Sequence, residues 1–146
     1  MPKNIQKISV SLAIHRIGDN SKVLVVLRPD DDDEFPGMWG LPAASCRDEE
    51  TLEEAAHRVG VDKLGVCLTL SRELASGVQE RNEYTIEMTL FEATLNGEPV
   101  LPLNTEGDAG VTLYADWRWG EPEELATSAD SGSLCSQLLL ESLSDE

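Results

Sequence analysis

The stretch FPGMWGLPAASCRDEETLEEAAHRVGVDKLGV, residues 35–66, decides how the rest of the chain is read. It has three parts: a turn of glycine, tryptophan and proline, a polar loop, and a helix dense in carboxylates that ends on glycine and runs into a strand. Thr51 with Glu54 three residues on makes a capping-box pattern, and Asp48, Glu49 and Glu50 put negative charge at the positive end of the helix. Leu52, Ala55, Ala56 and Val59 recur at i, i+3, i+4 and i+7 and form its apolar face. On the flank Glu50, Glu54, Arg58 and Asp62 repeat every four residues, so Arg58 stands between carboxylates on both sides. Gly60 weakens the last turns by about 1 kcal/mol relative to alanine, and Gly65 is the natural terminator. Such a loop and helix suit a charged ligand or a metal; a surface salt-bridge row is the plainer alternative.

The flanking sequence supplies a sheet. Residues 5–14 alternate Ile8, Val10, Leu12 and Ile14 with smaller or polar partners, as a strand does. After a turn at 16–20, the valine-rich run 22–28 reads as a central strand covered on both faces. Five consecutive acidic residues, 30–34, lack either period and read as a solvated loop, with a weak divalent-cation collector as the sharper alternative. Downstream, 66–74 reads as a strand, 75–83 as a polar loop and 84–95 as a half-buried strand. A long connection, 96–110, leads to the strand 111–119, which carries Trp117 and Trp119 on one face and Asp116 and Arg118 on the other. A short helix opens at Pro122, and 131–143 forms a last helix with Leu134, Leu138 and Leu139 on one stripe. There is no internal repeat. Helices interspersed with a mixed sheet imply an α/β sandwich layered on both sides.

Composition bounds the partners. A chain of 146 residues fits one domain, 1–146, and 40% hydrophobic residues make it a folding sequence. The net charge of −17 lacks the basic footprint that nucleic acid or an anionic membrane requires. Apolar runs are too short to cross a bilayer, and the first six residues are not followed by a signal-like core, so the expected location is the cytoplasm. Three scattered cysteines, Cys46, Cys67 and Cys135, give neither a zinc signature nor a disulfide framework; they are expected to be reduced, with Cys67 buried in its strand.

The residues of the central stretch resemble a Nudix box. The family pattern is a glycine, five residues, a glutamate, seven residues, Arg-Glu, an apolar residue, one free position, Glu-Glu, one free position, glycine and an apolar residue, usually after Trp-x-Leu-Pro-Gly-Gly. Here Trp39-Gly40-Leu41-Pro42 is present, and Ala43 and Ala44 stand where two glycines are expected. Across the box, residues 44–66, Glu50, Arg58, Gly65 and Val66 match in register without a gap. Val59 replaces the glutamate beside the arginine, and Asp62 and Lys63 replace the glutamate pair. The resemblance implies a Nudix-like α/β/α sandwich around a mixed β-sheet. It also implies a hydrolase that cleaves the diphosphate of a nucleoside diphosphate derivative with Mg2+ or Mn2+.

Carried onto this chain, the resemblance puts the central metal ligands at Val59, Asp62 and Lys63 with the Ala43 carbonyl assisting; only Asp62 keeps ligand chemistry, and Glu54 or Glu50 is the neighbour that would help it hold a metal. Catalytic acids would be Asp62, Glu50, Glu54 and the loop residue Glu106, with Asp108 and Glu87 as further sources. Substrate contacts would be Arg28 on the diphosphate, Lys63, and Trp39 or Tyr84 (with Phe35) stacking on a base; Arg58 and Gly65 would be structural. The departures weaken this set. Valine cannot ligate a metal, a protonated lysine has no lone pair, and Val59 and Lys63 share a helical face. The alternatives are a non-catalytic nucleotide- or metabolite-binding module, in which Lys63 supplies the charge a metal would bring, and a structural or protein-interaction domain. A homodimer is open in either case.

Overall fold

A computed structural model describes residues 6–16, 18–28, 37–80, 84–101 and 114–144. Strands β1 (Gln6–Arg16) and β2 (Asp19–Leu27) open as a hairpin, pairing His15 with Val23 and Arg16 with Asp19 across a register break. Beyond that the two strands part. Their facing backbone groups are satisfied by the segment expected to be only a turn and loop. β3 (Trp39–Gly40) pairs with Val26 and Leu27 of β2, and β4 (Ala43–Ser45) pairs with Ser9, Val10 and Ser11 of β1. The Leu12 N–H donates to the Pro42 carbonyl at 2.9 Å between them. A gap between two strands leaves donors and acceptors that must be matched, which is why so short a segment becomes sheet.

On its other side β1 runs parallel to β6 (Thr85–Leu95), which pairs antiparallel with β5 (Leu68–Glu80). β7 (Asp116–Gly120) adds antiparallel to β2. The sheet is therefore mixed, in the order β3-β2-β1-β6-β5, with β4 on β1 and β7 on β2. The strand expected at 66–74 starts later and runs to Glu80, through the supposed polar loop. Two register shifts, between Leu70 and Arg72 and between Glu73 and Ala75, break its alternation and hide it from a period-2 reading. Its second half is held by the last helix: a Cβ on Gly77 would lie 3.0 Å from Leu138, and Gln79 Nε2 donates to the Gly132 carbonyl at 3.0 Å.

Helix α1 (Leu52–Arg58) continues into a π-helical turn, Val59–Lys63. After β7 come a 3₁₀ turn (Pro122–Leu125), α2 (Ala126–Asp130) and α3 (Leu134–Ser144). Alternate residues of the central strands feed two cores, as period-2 geometry dictates. Val10, Leu12, Ile14, Leu24 and Val26 pack with Ala55, Ala56 and Val59 of the box helix. Ala13, Val23 and Val25 pack on the opposite face with Leu125, Leu134, Leu138 and Leu139. The result is the α/β/α sandwich the sequence implied. Cys67 corrects one expectation: it is exposed, because it precedes β5 in the bend after Gly65, whereas Cys135 is buried. Among the described residues no helix is long and apolar enough to cross a membrane.

Candidate functional site

The box helix begins as its sequence requires. Thr51 Oγ1 accepts from the Glu54 N–H at 3.1 Å, and Glu54 Oε1 accepts from the Thr51 N–H at 2.9 Å. That capping box turns the Glu54 carboxylate back over its own first turn. Arg58 does not pair along the helix with Glu54 as the ladder suggested. It reaches to Glu50 ahead of the helix, with Nε and Nη2 each 2.9 Å from a carboxylate oxygen. Nη2 also donates to the Ser45 carbonyl at 2.8 Å, and the Arg47 N–H donates to Glu50 at 2.9 Å. Both side chains are largely covered (13% and 14% exposed), so Arg58 buckles the loop onto the helix. The Arg58 hydrogen bond outweighs burial and holds the Glu50 carboxyl down to about 2 from its ordinary 4.5, and Glu50 in turn raises Arg58.

The π-helical turn orients the residues at the end of this helix. The Leu64 N–H lies 3.1 Å from the Val59 carbonyl and 3.2 Å from that of Gly60, so the backbone ring is widened there. Gly60 is needed: a Cβ would stand 2.7 Å from the Val66 carbonyl oxygen and 2.9 Å from Leu68 Cδ2. Val59 is fully buried in the core, while Val61 and Asp62 face outward. Lys63 turns inward and is only 7% exposed. Its ammonium donates to the Ala43 carbonyl at 2.6 Å.

The Ala43 peptide has a second partner that sequence reasoning missed. Tyr114 Oη accepts from the Ala43 N–H at 2.9 Å and donates to the Ala43 carbonyl at 3.2 Å. The Tyr114 ring lies 5.3 Å from the Lys63 ammonium. No spacing rule joins residues 71 apart, so only the fold reveals the contact. Thus Ala43 accepts from both Lys63 and Tyr114.

Other expected residues are dispersed. Arg28 is half-buried, its N–H donating to the Met38 carbonyl at 2.9 Å. The Ala115 N–H donates to the adjoining Leu27 carbonyl at 2.8 Å, which puts Arg28 at the same end of the sheet as Tyr114 and Ala43. Trp39 and Tyr84 instead border the core beneath α2 and α3. The Arg118 guanidinium covers the Trp39 ring at 4.6 Å, and Lys7 sits 4.2 Å over Tyr84. Arg118 also pairs with Glu124, whose carboxylate accepts from the Glu121 N–H at 2.8 Å. Glu87 accepts from Gln6 at 2.8 Å on the exposed surface. Glu106, Asp108, Phe35 and the acidic run 30–34 lie outside the described residues.

A family model described as NUDIX domain matches residues 7–136. The chain belongs to the NUDIX domain family. Solved structures share the NUDIX fold at low identity. The MutT protein from Methanosarcina mazei Go1 superposes with a TM-score of 0.70 at 16% identity, covering 87% of this chain and 85% of that one. The E. coli ORF135 protein gives 0.70 at 20% identity, covering 94% and 91%. An ADP-ribose pyrophosphatase from Streptococcus suis 89-1591 gives 0.59 at 15% identity, covering 80% and 75%. No curated protein sequence matches the chain.

NUDIX hydrolases generally depend on a divalent metal. The donors of the box do not fit one. Of the three substituted box positions, one is core valine, one is a lysine already on the Ala43 carbonyl, and only Asp62 carries a carboxylate toward solvent. Glu50 and Glu54 are spent on Arg58 and on the helix cap. Among the described residues no group of three or more His, Cys, Asp or Glu side chains could hold a metal ion. A hard cation needs several oxygen ligands converging on one point, and this junction presents an ammonium there instead.

Proposed function

We propose that this NUDIX chain is a binding module for a small nucleoside diphosphate derivative, and that it does not run the metal-assisted hydrolysis usual in its family. The observation that carries this reading is the 2.6 Å contact between the Lys63 ammonium and the Ala43 carbonyl. Through it, the box position where the family places a carboxylate presents a cation. Arg28, at the same end of the sheet, is the proposed diphosphate contact. Trp39 is not proposed to stack on a base, because it borders the opposite core and Arg118 already covers its ring at 4.6 Å.

A second reading has an observation of its own. Asp62 is exposed at the end of the box helix, outside the Arg58 pair that occupies Glu50 and the cap that occupies Glu54. With Glu106 as a loop acid it would hold Mg2+ or Mn2+ and cleave the diphosphate slowly. The likeness to a protein named as an ADP-ribose pyrophosphatase favours the same substrate class.

Phosphorus NMR separates the two. The full chain is mixed with pooled nucleoside diphosphate sugars, dinucleotides and nucleoside triphosphates, with Mn2+ and then with chelator. The binding reading expects broadened or shifted diphosphate resonances that persist in chelator, with no new phosphomonoester signal. Phosphomonoester that forms only with metal, and is lost in Asp62→Ala, would establish the hydrolase instead.

A further inference from the structure

We infer that Lys63 is a permanent internal counter-ion for the Ala43 turn, so that this one side chain keeps a divalent cation out of the loop–helix junction and holds the junction together in its place. Four observations converge. Lys63 is 7% exposed, so its ammonium has given up most of its water and must be repaid by protein dipoles. It donates to the Ala43 carbonyl at 2.6 Å, in the short range of charge-assisted bonds. The same peptide is gripped on both sides by the Tyr114 hydroxyl, whose ring lies 5.3 Å from the ammonium. The π-helical turn, made possible by Gly60, is what brings Lys63 inward while Asp62 stays outside.

Three separate segments meet at this point: the helix end, β4 and the residue that leads into β7. A tether between them that is part of the chain needs no metal, whereas an oxygen cluster at the same point would repel itself without one. The inference shares with the binding reading the absence of a resident metal, and does not depend on which ligand the chain binds.

The test is thermal unfolding of the full chain in EDTA and in millimolar MnCl2, alongside Mn2+-induced water-proton relaxation. The acidic surface gives every variant the same weak, non-saturating response, so the readout is the difference from wild type. Wild type is expected to melt within about a degree in the two media after that correction. Lys63→Met keeps the packed stem but loses the charge; it should melt about 5 °C lower in both media. Lys63→Glu should be less stable still in EDTA, regain stability in Mn2+, and show a saturable relaxation signal that Asp62→Ala removes. A saturable Mn2+ effect in wild type, or Lys63→Met melting like wild type, overturns the inference. So does a folded Lys63→Glu that ignores Mn2+; if that variant does not fold, Lys63→Met and wild type decide alone. Phosphorus NMR without bound diphosphate would remove the proposed ligand and leave this result standing.

Discussion

The Glu50–Arg58 pair shows how one side chain can serve two segments at once. Arg58 closes two bonds on the carboxylate and one on the exposed Ser45 carbonyl, so truncating it leaves a largely covered acid short of donors. Arg58→Ala is expected to cost about 2–3 kcal/mol in urea unfolding, well above an exposed pair. The pH dependence has a definite sign. Glu50 is depressed to about 2 from 4.5, so between those values the folded chain keeps the carboxylate ionised while the unfolded chain takes up a proton. The pair's contribution is therefore whole above about pH 4.5 and drains away as pH falls toward 2. Wild type should lose its advantage over Glu50→Gln along that limb; a constant gap would refute the assignment. The pairing of Arg58 with an acid was legible in the sequence, but the partner was not. Helical spacing points to Glu54, and only the cap that engages Glu54 sends Arg58 back to Glu50.

At the scale of elements, local signals were read best where a short-range pattern is complete. The Thr51–Glu54 cap formed with both of its bonds, and Trp117 and Trp119 share a face, edge to face at 6.2 Å. The period-2 pattern covers only the first part of β5 because bulges shift its alternation, and β3 and β4 carry no such pattern because their strand character comes from the gap they fill. Gly60 tests local against tertiary logic. Helix propensity says that alanine there would stabilise the chain by about 1 kcal/mol. The close approach of the Val66 carbonyl and Leu68 says the opposite. Gly60→Ala is expected to destabilise by about 2 kcal/mol, read from the urea midpoint at unchanged slope. A gain in stability would mean that the π-helical turn relaxes to an ordinary one.

For the whole molecule, the layered architecture followed from the order of strands and helices, and the family from the box register. The site did not follow as directly, since its contacts join Ala43 to residues 20 and 71 positions away. The same long reach governs the middle of the sheet. β1, the first strand of the chain, finds its parallel partner β6 roughly 80 residues later, in every pair from Gln6↔Thr85 to His15↔Thr94. During synthesis the buried residues Val10, Leu12 and Ile14 meet β2, β4 and the box helix early, but the other edge of β1 stays open until β6 has emerged. Protease protection of β1 in arrested nascent chains should be partial once β2 and β4 are out and become complete only when Leu95 has cleared the exit tunnel; full protection before that point would refute the dependence on β6. One edge of β1 thus stays unpaired long after its hairpin edge has closed, and in a growing cell it is that edge which is open to chaperones and to mispairing while the chain between the two strands is made.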